Sequence, residues 1–388
     1  MVAKVIFFPV GNGDMTLIEL ESGRKILIDV NIRESTDGSN KSIPDVISML
    51  RQRLTRDKES RLYIDAFLWS HPDRDHCLGI DKHFHLGPPE KFSDDKIFIR
   101  EIWSSPIVFR RASKKHDFIL CEDAKALRRE AKRRVKYFRD NGYAGVTDGN
   151  RIQILGEDEK GKTDDLTDIL VKVDELITKV NGVRDSSMTA RLLGPLPKAE
   201  DEDDEEALAK NRSSVILQFS LGADGCNDAC QFLTGGDAEV KVWERLWEKH
   251  QSDPDWLQYD ILLAPHHCSW HSLSHDSWSD KREEAEVSQN ARNALSQTKE
   301  EGGACIIASS KPISDEDSDP PCIRAKREYR NIVSTVSGKF ICTGEYPSSN
   351  APDLLVIEIR SYGPRLESRK APAIIPSGAI GRQPLPHG

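Results

Sequence analysis

The sequence has no apolar run long enough to cross a membrane. The apolar stretch at the start of the chain is interrupted at Gly11 by the turn residues Gly-Asn-Gly-Asp, and no small-residue cleavage site follows it. These absences argue against a membrane-spanning or exported protein. We therefore expect a protein of the cytoplasm that makes no contact with a membrane.

Close cysteine pairs are also scarce. Of the 8 cysteines only Cys226 and Cys230 lie near each other, whereas a four-thiolate zinc site needs two such pairs. A chain of 388 residues can bury a full hydrophobic core and does not depend on a disulfide framework. We therefore expect reduced thiols.

Positive charge is in deficit, because 55 Lys and Arg face 64 Asp and Glu for a formal net charge of -9. This balance argues against binding of nucleic acid by bulk positive charge, but it allows a local basic patch. One predicted helix, residues 122–140, is such a patch. Three interpretations of it remain open: a solvated face, docking on the acidic run at 201–206 or on a protein partner or second copy, and contact with nucleic acid. Its basic residues are Lys125, Arg128, Arg129, Lys132, Arg133, Arg134, Lys136 and Arg139.

Hydrophobic periodicity predicts an α/β protein. Short apolar runs bounded by turn residues predict strands up to residue 69 and again from residue 214 to residue 360. The stretch between them, residues 81–210, is richer in charge. Besides the helix at 122–140, its apolar spacing predicts a second helix at 164–180. We interpret residues 81–210 as a helical, charged insertion.

The end of the chain has a different composition. Residues 364–388 are rich in Pro, Gly and basic residues and show no periodicity, which is typical of a flexible tail. The sequence therefore predicts a single domain over residues 1–363, with the charged insertion inside it.

The densest chemical signal directly follows the predicted strand Tyr63–Trp69. His71, Asp73, Asp75 and His76 lie within six residues, on a loop that leaves a buried strand. Alternate side chains on such a loop can converge on one point, and His76 can turn towards a neighbouring one. The pattern predicts ligands for two adjacent metal ions. The alternative is a polar loop whose aspartate caps the next helix.

Two further positions lie where strands end. Asp237 follows an apolar strand and two glycines, so its carboxylate can reach a site at the edge of the sheet, although a helix cap is the alternative. His266 and His267 follow the predicted strand at 261–264, and one of them can bind metal while the other transfers a proton. The residues do not decide between the two. His266 is slightly preferred as the ligand, and a surface pair is the alternative.

Residues 71–76, HPDRDH, resemble the H-x-[HD]-x-D-H signature of the metallo-β-lactamase fold, in the variant of the ComEC-like hydrolase domains. Five further segments resemble motifs of that group in the same order, within roughly residues 4–80 and 211–310. They are Phe8–Asp14, Ile26–Asp29, Asn211–Val215, Phe232–Asp237 and Pro265–Ser269.

The resemblance implies a four-layer αββα sandwich that binds two divalent metal ions, with Asp237 bridging them. Zn²⁺ is expected ahead of Mn²⁺, although Asp73 in place of a histidine makes one site richer in oxygen. Asp14 is expected to hold a ligand histidine in place. We assign Asp75 and His267 as catalytic residues. The metal ligands we assign are His71, Asp73, Asp75, His76, Asp237 and His266.

Two departures from the family pattern affect this assignment. Cys268 stands where the family has a glycine, which places a thiol beside the site. The family's late histidine has no counterpart in Lys311–Cys322, which leaves the second metal site short of one protein ligand.

The function that these residues predict is metal-dependent hydrolysis by an activated water, directed at a phosphodiester in a nucleic acid or nucleotide. The preference for phosphodiesters comes from the resemblance to the ComEC-like group. The alternatives are hydrolysis of a small ester, lactone or nucleotide, and a non-catalytic regulatory module on a degenerate fold.

Overall fold

The computed structural model describes residues 1–33, 44–110, 119–158, 161–197, 211–299, 303–316 and 319–367. No helix in these ranges is both long and apolar enough to cross a membrane. The helices are α1 (Val46–Arg53), α2 (Ile80–His83), α3 (Pro106–Arg110), α4 (Glu122–Gly145), α5 (Val240–His250), α6 (Trp278–Lys281), α7 (Gln289–Leu295) and α8 (Ile323–Ser334). The strands are β1 (Lys4–Phe7), β2 (Thr16–Glu19), β3 (Lys25–Ile28), β4 (Val30–Asn31), β5 (Tyr63–Trp69), β6 (Cys77–Leu78), β7 (Phe84–His85), β8 (Ile97–Ser104), β9 (Arg151–Leu155), β10 (Leu170–Val171), β11 (Leu176–Ile177), β12 (Lys179–Val180), β13 (Val183–Arg184), β14 (Met188–Gly194), β15 (Ile216–Ala223), β16 (Cys226–Thr234), β17 (Ile261–Leu263), β18 (Cys305–Ala308), β19 (Lys339–Cys342), β20 (Leu355–Arg360) and β21 (Gly363–Leu366).

Most strands belong to two sheets. The first has 10 strands in the order β10-β9-β8-β5-β3-β2-β1-β20-β21, with β7 beside β8, and the second has 7 in the order β11-β14-β15-β16-β17-β18-β19. Within the first sheet β3, β5, β8 and β9 run parallel, and within the second β16 to β19 do. Each sheet therefore presents the carboxyl ends of several strands at one edge, which is where binding sites form in parallel sheets.

The two sheets pack face to face. Phe7 in β1 and Phe232 in β16 meet edge to face across the interface, with ring centroids 5.9 Å apart. Helices α1 and α4 pack on the first sheet, and α5, α7 and α8 pack on the second. Strands buried on both faces appear in a sequence as continuous apolar runs, which is why β5 and β17 could be predicted. The predicted four-layer αββα sandwich is confirmed.

Residues 81–210 are not a helical insertion, and that prediction is wrong. They supply β7, β8, β9 and β10 to the first sheet and β11 and β14 to the second. Strand β8 is buried along most of its length and lies beside β5 near the middle of its sheet. Composition averaged over the whole stretch concealed these strands, because helix α4 and the loops carry much of the charge.

The helix predicted at 164–180 is also wrong. A 3-10 turn at Asp164–Leu166 is followed by β10, which pairs with β9, and by β11, which pairs with β14 in the other sheet. Asp174 turns the chain between these strands with a φ of 74°. The apolar residues have helical spacing, but they serve two different sheets, so tertiary pairing overrides local periodicity.

The helix predicted at 122–140 is confirmed as α4, which contains a break at Gly142. Its basic face is partly an internal contact. Arg134 is 1% exposed, and it donates to the carboxylate of Glu130 and to the backbone carbonyls of Ile99 and Arg151. These bonds fix the helix to strands β8 and β9 of the first sheet. The acidic run at 201–206 lies outside the described residues.

The tail predicted at 364–388 begins as ordered structure. Strand β21 pairs antiparallel with β20, so the domain extends to residue 366 and not to 363. Residues 368–388 lie outside the described ranges.

Glu101 in β8 gives the fold a pH dependence. Its buried carboxylate accepts hydrogen bonds from Trp103 Nε1 at 2.8 Å and from the backbone N–H of Asn181 at 2.7 Å. Burial nevertheless raises the pKa of Glu101 from 4.5 to about 7. Because the folded state holds this proton more tightly than the unfolded state, the stabilising contribution is complete below pH 4.5 and is lost as the pH rises through 7.

The substitution Glu101→Gln should remove this loss of stability at high pH, since glutamine keeps the shape of the side chain and never ionises. We expect the free energy of unfolding to match wild type near pH 5 and to exceed it by about 2 kcal/mol at pH 8.5. Urea unfolding at both pH values measures this difference. The exposed Glu248→Gln is the matched control, and a Glu101 variant that tracks wild type at both pH values contradicts the account.

Candidate metal centre

The predicted site residues meet at one edge of the sandwich, where strands of both sheets end. Strand β5 leads into His71, β16 into Asp237, and β17 into His266 and His267. Asp29 follows β3, the neighbour of β5. The strand ends therefore place side chains that are far apart in sequence around one buried volume.

The carboxylate of Asp237 lies at the middle of this volume and is 3% exposed. Its Oδ2 is 3.2 Å from His71 Nε2, while its Oδ1 is 3.1 Å from His76 Nε2 and 3.4 Å from His267 Nε2. Its backbone N–H donates to Ser214 Oγ at 3.1 Å, which fixes the loop. Each oxygen of one carboxylate thus faces a different set of histidines.

On the Oδ2 side, His71, Asp73 and Asp237 form a group that could hold one metal ion. His71 Nε2 lies 3.9 Å from Asp73 Oδ2. His266 is less deeply buried and has its Nε2 3.7 Å from Asp237 Oδ2. This side therefore offers two imidazoles and two carboxylates.

On the Oδ1 side, the two histidine Nε2 atoms of His76 and His267 lie 3.2 Å apart. Asp75 Oδ2 lies 3.3 Å from His267 Nε2. His76, His267 and Asp237 form, with Asp14, a second group that could hold a metal ion, and Asp75 lies at its border.

Asp29 orients this second group, and the sequence analysis gave it no role. Its carboxylate accepts hydrogen bonds from His76 Nδ1 at 2.8 Å, from the Ser70 backbone N–H at 2.8 Å and from Ser70 Oγ. The bond to Nδ1 leaves Nε2 of His76 directed at Asp237, as in other carboxylate-histidine-metal arrangements. An aspartate directly after the buried strand β3 was the signal that could have identified it.

Asp14 reaches the site from the turn after β1. Its Oδ1 lies 3.5 Å from His267 Nδ1 and its Oδ2 lies 3.8 Å from His76 Nδ1. Gly13 makes this approach possible, because a Cβ there would lie 2.0 Å from Asn31 Nδ2. Its φ of 135° also favours glycine.

Backbone strain is concentrated where the two histidines lie. His266, His267 and Cys268 have φ values of 51°, 53° and 70°, and each non-glycine residue in this conformation costs about 1 kcal/mol. Strain of this kind persists where the surrounding structure demands it, often at functional sites. The turn buries His267 beside Asp237 and leaves His266 nearer the surface. His267, which we had assigned to proton transfer, is thus the deeper of the two.

The buried carboxylates of the cluster require positive charge to balance them. Burial alone lowers the pKa of His76, but the Asp237 and Asp29 carboxylates raise it well above its ordinary value. The pKa of His267 is raised in the same way, against burial, chiefly by Asp237. Burial alone raises the pKa of Asp237, but the histidines around it hold that pKa well below its usual range. Without bound metal, protons on the histidines balance the carboxylates, and metal ions can replace them.

The residues fit divalent cations. His71 Nε2, Asp237 Oδ1 and Asp14 Oδ1 are buried, and none of the three has a hydrogen-bond partner among the described residues. Unpaired buried donors and acceptors are costly unless something else satisfies them. Imidazole nitrogens with carboxylate oxygens suit Zn²⁺, and a higher share of oxygen suits Mn²⁺.

Comparison with known proteins adds little to this geometry. No protein-family model and no curated protein sequence matches the chain. Among solved structures, it is similar to unliganded yeast PDE1 at 13% sequence identity with a TM-score of 0.41, over 88% of this chain and 97% of that chain.

Replacing Asp237→Asn should weaken metal binding on both sides at once, because one carboxylate faces both groups. We expect two divalent ions per dialysed wild-type chain and at most one, weakly held, in the variant. Inductively coupled plasma mass spectrometry measures the ratio after loading with Zn²⁺ or Mn²⁺. Asp260→Asn is the control, a buried aspartate that accepts a hydrogen bond from the backbone N–H of Gln231. Full metal content in the Asp237 variant would contradict a shared carboxylate.

Proposed function

We propose that the chain is a metal-dependent phosphodiesterase. The observation that carries the proposal is the carboxylate of Asp237, whose two oxygens face two separate histidine groups. A shared carboxylate between two metal positions is the arrangement used by hydrolases that clamp both the attacking and the leaving oxygen of an ester. Bound divalent ions would supply an activated water at neutral pH and a Lewis acid for the scissile bond.

The protein's own residues have separate tasks in this proposal. His71 and Asp73 would hold an ion on one side of Asp237, and Asp75, His76 and His267 would hold an ion on the other. The sequence slightly prefers His266 as a ligand, but we propose His267, because it has the closer contacts with Asp75, His76 and Asp237. Zn²⁺ is the expected ion, with Mn²⁺ as the alternative.

His266 then has the remaining chemical role. Its ring lies at the less buried rim of the centre, with Nε2 3.7 Å from Asp237 Oδ2. From this position it can donate a proton to the leaving oxygen of the substrate, which would otherwise depart as an unstable alkoxide. Asp29 acts through another residue, by fixing the ring of His76. Asp14 lies close enough to His76, His267 and Asp237 to join them in holding the second ion.

Phosphodiesters are favoured over other esters by the ordered motifs that resemble ComEC-like hydrolase domains. Residues of the segments at 8–14, 26–29, 71–76, 232–237 and 265–269 converge in space at this centre. A nucleic acid or nucleotide is therefore the proposed substrate.

The test compares hydrolysis of bis(para-nitrophenyl) phosphate with hydrolysis of para-nitrophenyl acetate by the metal-loaded protein. We expect the diester to be the better substrate, and Asp75→Asn to lower its kcat/KM by at least about 100-fold. The exposed Asp228→Asn is the control for loss of one negative charge. Preference for the acetate would favour a small-ester hydrolase. Tight metal binding without turnover of either ester would favour a regulatory module.

A further inference from the structure

A cavity of about 650 Å³ lies directly beside the metal centre. Asp75 belongs to its wall and also to the centre, where its Oδ2 is 3.3 Å from His267 Nε2. A molecule in the cavity therefore lies next to whatever is bound at the metals. Arg33, Arg74 and Lys82 line the same wall.

The two arginines of this cavity flank the short pair of strands β4 and β6. The strands pair in parallel, with Val30 opposite Cys77, and the backbone N–H of Ile32 donates to the Leu78 carbonyl at 2.9 Å. Arg33 follows the end of β4, whereas Arg74 precedes the start of β6. Both side chains line the same cavity, so a molecule bound there lies beside two guanidinium groups.

The carboxylates near these arginines already interact with other groups. Asp123, at the far wall, accepts hydrogen bonds from the backbone N–H groups of Gly79 at 3.0 Å and Asp81 at 3.1 Å. Asp75 faces His267. The guanidinium of Arg33 donates to the Asn12 carbonyl, a neutral acceptor.

Arg74 is exposed, and within the described part of the chain its side chain makes no hydrogen bond or ion pair. Burial lowers the pKa of Arg33, and the nearby positive charge of Arg74 adds to that lowering against the attraction of Asp75. Two like charges that repel each other beside a cavity are stabilised when an anion binds between them.

We propose that this cavity binds a second phosphate group of the substrate, next to the phosphodiester that is cleaved. The inference rests on the proposed phosphodiesterase function and narrows its substrate class. Planar guanidinium groups bind phosphate through paired, charge-assisted hydrogen bonds. The substrate would then carry at least two phosphates, the second being either a terminal monoester, as in a phosphorylated dinucleotide, or a neighbouring diester, as in a longer strand.

The test measures binding of phosphorothioate-linked oligonucleotides, which resist cleavage, by isothermal titration calorimetry in the presence of Mn²⁺. The ligands are a dinucleotide without terminal phosphate, the same dinucleotide with a 5′ or a 3′ phosphate, and a trinucleotide without terminal phosphates. We expect at least one ligand with the extra charge to bind about tenfold more tightly than the plain dinucleotide. Whichever of the monoester and diester ligands binds more tightly identifies the chemical form of the second phosphate.

Arg33→Gln combined with Arg74→Gln should reduce this preference to less than about threefold. Arg74→Gln alone should reduce it in part without disturbing the Arg33 contact to Asn12. Arg330→Gln, an exposed arginine of α8 on the second sheet, is the charge-matched control and should keep the full preference. Circular dichroism confirms that each variant is folded.

Two results would overturn the inference. One is equal affinity of the wild-type protein for all the oligonucleotides, and the other is a preference that survives in the double variant. Failure of the proposed function gives a different result. The wild-type protein would then prefer the ligand with the extra phosphate but would not cleave the ordinary phosphodiester dinucleotide. The phosphate site would be supported, and the hydrolase activity would be contradicted.

Discussion

The shared carboxylate of Asp237 is the interaction on which the rest of the site depends. Its charge is buried, and a buried carboxylate is stable only when opposite charge surrounds it. Four histidines provide that surrounding, and they come from two loops that follow strands of different sheets. The sandwich therefore has to bring its two sheets together at this edge, and the side chains around Asp237 follow from that constraint.

The fold meets this constraint with backbone conformations and close contacts that would destabilise most other parts of a protein. Three consecutive residues adopt the left-handed conformation after β17, which turns the ring of His267 inwards. A glycine without a Cβ allows the turn that carries Asp14 to approach Asn31. Cys268, where the resembling family has glycine, has a φ of 70°, so a conformation that normally selects glycine is imposed here on a larger residue.

Much of the site could be predicted because its ligands directly follow apolar strands. His71 and Asp237 were placed correctly at strand ends by their position after β5 and β16, and these ends meet at one edge of the sandwich. Which of His266 and His267 lies deeper could not be predicted, since that depends on backbone dihedrals that adjacent identical residues do not reveal. Asp29 was missed because its hydrogen bond to His76 depends on strands β3 and β5 lying side by side.

The fold was harder to predict where strands are short. A two-residue strand such as β10 or β11 has no periodicity of its own, and only its pairing partner defines it. Long buried strands outside residues 81–210 were identified, whereas inside that stretch even the long strands β8 and β14 were missed because the stretch was assigned by its charge. Its basic helix contributes Arg134 to an internal ion pair, so charge density in a sequence does not distinguish a binding surface from a structural contact.

The measurement that tests the central claim most directly is anomalous X-ray diffraction from crystals of the protein loaded with Zn²⁺ or Mn²⁺. The account predicts two anomalous peaks, one on each side of the Asp237 carboxylate and about 3.5–4 Å apart. One peak alone, or peaks that do not contact Asp237, would contradict it.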